Sequence, residues 1–316
     1  MDSINFGFVS ICLSEKDCSP AGSVTVKQVK NLDRDATIYR VLRVARTNLQ
    51  NTLRIMWFMR AHDIALYRIS AMLIPLATHE KTDGWAWWEE ESLLEVGEKI
   101  GSAVQEHGFR LSSHLPELCG LSSDALFHWT QSYAAYHRRL YDLLRLDESA
   151  IIIIHVGGVH GNKERALETA RRNLERLDPW LRARLALEND DKVFDIEDVV
   201  SLASASGVRA VFDWHHHVVN PPNGEQTPDG AKTVDLVARA ADAWKDRPFK
   251  VHVSSPKSDK QIRAHADYVD LKFVRPLFDV LRAAGVQTCD MMVEAKKKDL
   301  ALLELRKALE MNEVNV

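Results

Sequence analysis

A chain of 316 residues with 46% hydrophobic and 27% charged residues has the composition of a soluble globular protein, one large domain or two smaller ones. No apolar run approaches the roughly 18–20 residues that span a bilayer, and no basic stretch precedes the first apolar segment, so neither an anchor nor a signal peptide is expected. The net charge of −4 removes a global basic signature of nucleic-acid binding but leaves room for a basic rim on one face.

In chain order, residues 6–12 (FGFVSIC) read as a first strand with polar Ser10 near its end, and 36–61 as a long helix with Leu42, Ala45, Leu49, Leu53 and Met56 at helical spacing. Residues 65–70 (ALYRIS) form a second strand, followed by a segment, 72–79, that carries Pro75 and stops at His79. Trp85, Trp87 and Trp88 precede a helix over 90–107, and 109–114 (FRLSSH) is a third strand ending in histidine. After a helix over 122–146 comes Ile151–His155, four isoleucines and a histidine, then Val156 and two glycines. Such an uninterrupted apolar run suits a parallel strand buried on both faces.

A basic helix over 163–177 leads to a strand over 184–188 ending in Glu188. A helix over 196–206 is followed by a strand over 208–213 that ends in Asp213, with Trp214 and three histidines directly behind it. The remaining elements are a helix over 233–244, a strand over 249–253 with Lys250 and His252, a helix over 269–284, a strand over 291–294 and a last helix over 299–309. Eight strand–helix units with short connections and no Pro-, Gly- or Ser-rich linker predict one (βα)₈ TIM barrel over 1–316, with its active site at the C-terminal strand ends. A doubly wound open sheet is the runner-up, but it would gather ligands at one crevice only. Four cysteines without a CxxC pair read as free thiols in a reducing compartment, the cytoplasm.

The strand ends supply His114, His155, Glu188, Asp213 with His216, His252 and Glu294, while His79 and His265 lie in covering loops. Imidazoles and carboxylates are ligands of Zn²⁺, Mn²⁺ and related ions. Any one of these histidines, taken alone, is more often a core or surface residue, as His62, His107, His128 and His137 on their helices are expected to be. Independent structural roles would not all fall at the same end of successive strands. A site of three or four ligands leaves residues over, so a cluster of two or three ions sharing carboxylates fits better. Ions that share oxygen ligands are the usual device for phosphodiester hydrolysis. Lys250 lies two residues before His252 and points the same way, so it must be neutral, paired or carbamylated. GWAWW either stacks nucleobases or packs over the mouth. Lys163, Arg165, Arg171, Arg172, Arg176 and Lys296–Lys298 either hold phosphates or form solvated faces. No Walker-type loop, GxGxxG or nucleophile elbow is present.

FGFVS, LYRIS with LIPLATH, IHVGG with GNK, LENDD, FDWHHH, KVHVSSPKS, AHADYV and MVEAKKKD, running in this order from first strand to last, resemble the UV damage endonuclease family. The resemblance implies a TIM barrel related to endonuclease IV, with a divalent cluster, manganese first, with zinc, magnesium or cobalt as the other candidates. It implies a monomer that nicks damaged double-stranded DNA 5′ of UV photoproducts and some other lesions, leaving a 3′ hydroxyl, in the cytoplasm at the nucleoid. By motif, His114, His155, Glu188, Asp213, His216, His252, His265 and Glu294 would be metal ligands, and Glu188, Lys250 (the family's modified lysine) and His79 (the histidine near the cluster) would be the catalytic residues. Phe8 and Lys163 would face DNA.

One motif departs. The family reads His-Pro-x-Gln followed by Phe or Tyr, a pair that wedges into the duplex, where this chain has His114-Leu115-Pro116-Glu117-Leu118. Ile11 also replaces the polar residue expected after FGFVS. A leucine can wedge but cannot stack, so Glu117 and Leu118 predict an altered lesion preference. Two other readings compete. A xylose isomerase-like sugar isomerase or epimerase would need fewer ligands. A catalytically weakened damage-binding protein is disfavoured by the intact Glu188 and Glu294.

Overall fold

Along each barrel strand every second side chain points inward, and that parity decides which residues reach the site. The computed structural model describes residues 3–223, 225, 227–244 and 247–311, so the ends of the expected 1–316 domain, 1–2 and 312–316, lie outside the described residues. Eight parallel strands close the barrel in the order β1-β10-β7-β6-β5-β4-β3-β2. They are β1 (Ser3–Val9), β2 (Leu66–Arg68), β3 (Arg110–His114), β4 (Ile151–His155), β5 (Leu185–Glu188), β6 (Arg209–Asp213), β7 (Phe249–Val253) and β10 (Thr288–Val293). A short antiparallel hairpin, β8 (Pro256–Ser258) with β9 (Gln261–His265), stands above β7.

The surrounding helices are α1 (Val26–Val29), α2 (Arg34–Ala61), α3 (Glu91–His107), α4 (Asp124–Leu143), α5 (Lys163–Glu175), α6 (Pro179–Arg184), α7 (Ile196–Ser206), α8 (Trp214–Val219), α9 (Ala231–Asp242), α10 (Leu271–Ala283) and α11 (Lys298–Met311). Among the described residues no helix is long and apolar enough to cross a membrane. Outward strand residues and inward helix residues make the apolar layer, as with Leu49, Ile55 and Met56 of α2. Ile151–Ile154 are all buried, as their unbroken run demands.

Several boundaries differ from those expected, for local reasons. The first strand ends at Val9 because Ser10 takes φ 63°, a left-handed turn. Arg145 at φ 52° closes the helix predicted to reach 146. The helix α6, not anticipated, starts where Asp178 caps it and Pro179 occupies its first turn. The histidine tract is helical in α8, with the Asp213 side chain accepting the His216 N–H as its cap.

Candidate metal centre

Parity brings the last inward residue of each strand to one rim. Registers pair His155 with Glu188 and Asp213 with His252 on adjacent strands. Ligand-type atoms of His114, His155 and Glu188 lie within 4.8 Å of one another, and so do those of Glu188, Asp213, His252 and Glu294. Glu188 belongs to both groups. Its Oε2 faces His114 Nε2 at 3.0 Å and His155 Nε2 at 3.8 Å. Its Oε1 faces His252 Nδ1 at 2.6 Å and His216 Nδ1 at 3.9 Å.

The histidines are oriented from behind. Nδ1 of His114 bonds the Leu115 carbonyl at 2.6 Å, that of His216 the Asn189 carbonyl at 2.9 Å, and that of His265 the Glu294 carbonyl at 2.8 Å. A carbonyl only accepts, so each Nδ1 carries a proton, and a neutral ring would keep its Nε2 lone pair for a ligand. Asn189 also fixes Asp213, bonding both its N–H and its carbonyl.

The electrostatics call for a cation. With its Nδ1–H committed, His114 turns a bare Nε2 toward a carboxylate oxygen, an arrangement that needs a proton or a metal between them. Asp213 is fully buried and its Oδ2 has no hydrogen-bond partner among the described residues. Burial pushes its carboxyl up to about 8 against the pull of His216, with Glu188 and Glu294 adding to the rise. Burial would likewise raise Glu188, but His252 and His155 hold it well below the ordinary carboxylate range. Burial also opposes a charged Glu294, which Arg68 and then His252 hold at about 2. Two buried carboxylates and the partly buried Glu294, with oriented imidazoles beside them, fit a divalent ion well.

Lys250 sits beneath this rim, its Nζ 3.9 Å from Asp290 Oδ2 on the neighbouring strand. Burial lowers its pKa, with Asp290 offsetting part of the effect. Arg110 closes the floor by gripping Asp290 through Nε at 2.8 Å and Nη2 at 2.7 Å, and Asn5 donates to the same carboxylate at 3.0 Å.

Some expected site residues stand apart. Phe8 is fully buried, edge-on to Phe58 and Tyr67 at 6.2 and 5.4 Å. Its parity aims it outward at α2, so the expectation that it probes DNA is corrected. His79 accepts the Lys81 N–H and caps a 3₁₀ turn, and neither ligand group includes it. Lys163 is held by Asp198 at 2.5 Å and Asp195 at 3.5 Å, bridging α5 to α7 instead of presenting a free ammonium. His265 is in neither ligand group, and its ring is 6.1 Å from that of His216. Trp85 and Trp87 are buried, so GWAWW packs more than it presents.

Glu117 and Leu118 occupy the centre of a tight turn closed by the Cys119 N–H on the Pro116 carbonyl at 2.8 Å. Both are exposed, Leu118 at 43%. The turn is tethered at either end by Leu115 and Leu121, whose N–H groups bond the Ile153 carbonyl within β4 and the Val156 carbonyl just beyond it. The sequence reading missed Arg68, Asn189 and Asp290. Asp290 had a signal, a lone acid inside an apolar strand (TCDMMV).

These features define a class, closed parallel barrels with a candidate divalent-metal centre at the strand ends. A profile of the UV-endonuclease UvdE family matches residues 4–316. The UV DNA damage endonuclease of Bacillus pumilus (strain SAFR-032) is 37% identical over 311 residues, 95% of this chain and 92% of the relative. The crystal structure of SacUVDE superposes with a TM-score of 0.83 at 26% identity, covering 98% of this chain and 99% of that one. The chain belongs to the UV-endonuclease UvdE family. A 3-keto-D-glucoside 4-epimerase from E. coli shares the fold alone, with a TM-score of 0.52 at 11% identity.

Proposed function

We propose that this chain is a metal-dependent DNA repair endonuclease that hydrolyses the backbone of double-stranded DNA 5′ of UV photoproducts and related lesions, leaving a 3′ hydroxyl. Glu188, shared by both ligand groups, carries the reading. A carboxylate with one oxygen toward each group suits a bridge between two ions, the arrangement that phosphodiester hydrolysis uses. His114 and His155 would serve one ion and Asp213, His252 and Glu294 the other, with His216 and His265 adding imidazoles from above. Manganese is the first candidate, then zinc, magnesium or cobalt. When bound, such ions would neutralise phosphoryl charge and lower the pKa of a water.

The chain's own groups orient and exclude. Leu115, Asn189 and Glu294 carbonyls hold the imidazole tautomers. Lys250, carbamylated, would add a carboxylate beneath the cluster; unmodified, it stays with Asp290. Glu117 and Leu118 stand where the family's glutamine and aromatic do, giving an apolar wedge without stacking and an acid near the phosphates. The protein acts as a monomer of one domain in the cytoplasm.

The test is a labelled duplex with one defined pyrimidine dimer beside an undamaged control, with Mn²⁺ or with chelator. Metal-dependent nicking just 5′ of the dimer is expected. Nicking at abasic sites alone would move the chain toward endonuclease IV-type chemistry, and an intact duplex in the presence of bound metal would overturn the proposal.

A further inference from the structure

The two ligand groups that share Glu188 are not electrically alike. On the His114–His155 side, no arginine or lysine ion-pairs with a ligand atom among the described residues. On the other side a permanent cation is built in. Arg68, at the end of β2, is 6% exposed and points into the mouth. Its Nη1 meets Glu294 Oε1 at 2.5 Å. Its Nη2 lies 2.7 Å from Nε2 and 3.2 Å from Nδ1 of His252, so it rests against the ring and not along one lone pair. Nε has no hydrogen-bond partner among the described residues. The guanidinium is thus positioned by cluster members alone.

We propose that Arg68 is an internal counter-ion that makes the Asp213–His252–Glu294 subsite the weaker and more exchangeable of two metal subsites, and that holds Glu294 and His252 in place while that subsite is empty. The inference rests on the reading of the mouth as a two-ion centre. A guanidinium does not lose its proton at any working pH. An ion entering between Asp213 and Glu294 therefore meets a fixed positive charge one side chain away, in surroundings that screen it poorly. An ion entering at His114 and His155 does not. The same contact has a second effect. Glu188 Oε1 accepts from His252 Nδ1 at 2.6 Å while Glu294 Oε1 lies 3.2 Å from the same nitrogen, so two carboxylates converge on one imidazole donor and repel each other without a further cation. Arg68 supplies that cation before metal arrives, so the second subsite is preformed at the cost of affinity. Arg68 is a positioning residue in this account. It reaches Glu294 across β1 only because the barrel closes.

The experiment titrates the chelator-stripped full chain with Mn²⁺ by calorimetry, following bound ion by electron paramagnetic resonance. The parent should show two unequal steps. Arg68→Gln removes the charge and Arg68→Lys keeps it. Arg68→Gln should tighten the weaker step by about tenfold or more, leaving the tighter step in place, while Arg68→Lys should leave both near the parent values. Metal-free Arg68→Gln should melt earlier than the parent yet gain more in Tm on adding Mn²⁺. If that variant does not stay folded without metal, it is purified loaded and the loss of Mn²⁺ into excess chelator is timed, with a slower second ion expected. Weakening or loss of the weaker step in Arg68→Gln, equal tightening of both, or faster loss to chelator would overturn the inference. A parent with one step would overturn the inequivalence alone, and a parent that binds no Mn²⁺ would overturn the metal reading with it.

Discussion

The barrel interior holds two sets of buried charge, one at its floor and one at its mouth, and they are built on opposite terms. At the floor, Asp290 accepts two bonds from Arg110 and one from Asn5, with Lys250 close by, so one carboxylate is surrounded by donors. At the mouth, Glu188, Asp213 and Glu294 converge, Arg68 is the one arginine or lysine that pairs with them among the described residues, and Asp213 Oδ2 is left without a partner. Buried charges that satisfy one another hold structure together, whereas those that leave acceptors uncommitted need something from outside. The floor is finished by the chain and the mouth is not.

Substitutions that break one region should spare the other. Glu188→Gln removes the shared carboxylate of the mouth and is expected to lower nicking by more than about 10³-fold, about 4 kcal/mol of transition-state stabilisation. Mn²⁺ content by elemental analysis should fall with it, and unchanged content would sink the bridging role. At the floor, Asp290→Ala leaves Arg110 and Lys250 without their anion. It should cost about 3 kcal/mol in chemical denaturation, the low end for a broken buried pair because Arg110 is 29% exposed. If Asp290→Ala is as stable as the parent, the floor is not the structural half of the comparison.

A buried histidine elsewhere shows that an uncommitted atom alone does not make a site. His137 in α4 has an unpartnered Nε2 too, but Tyr136 and Tyr141 rings surround it and its Nδ1 is bonded to the Tyr133 carbonyl. Burial lowers its pKa from 6.5 to about 4. The folded value lies below the unfolded one, so between them the unfolded chain binds more protons and stability falls as pH drops. The contribution is whole above about pH 6.5 and lost by about pH 4, a change of about 3 kcal/mol. Urea midpoints across that window should fall steeply in the parent and less in His137→Gln, and parallel slopes would remove His137 as the cause.

Much of this was legible in the chain. His114, His155, Glu188, Asp213 and His252 announce themselves because each lies at or next to the C-terminal end of a strand whose parity is fixed. Arg68 does not, since a basic residue at the end of a short strand looks like a solvated edge until closure sets β2 one strand away from β10. The β8–β9 hairpin was invisible because its strands are exposed and lack apolar alternation. Phe8 misled for the reverse reason, since a family motif preserves a residue's type without saying which face of the strand it occupies.

The exposed Glu117–Leu118 turn is neither sealed like the floor nor open to an ion like the mouth. Its backbone is fixed at both ends and its tip is exposed, so changing the tip should leave the fold around it in place. A leucine side chain can enter a gap in a duplex but offers no π-face to the neighbouring bases, and stacking on an aromatic is worth about 1–3 kcal/mol per base. Leu118→Tyr together with Glu117→Gln should therefore raise the ratio of damaged to undamaged duplex binding by about fivefold, the low end of that range, since an exposed tip loses some order on stacking. Metal content and thermal stability should stay at parental values. Binding of both duplexes improved equally would mean that removing the acid only relieved repulsion with phosphates. An unchanged ratio would mean that this turn does not read the lesion, leaving recognition to the rim of the metal centre itself.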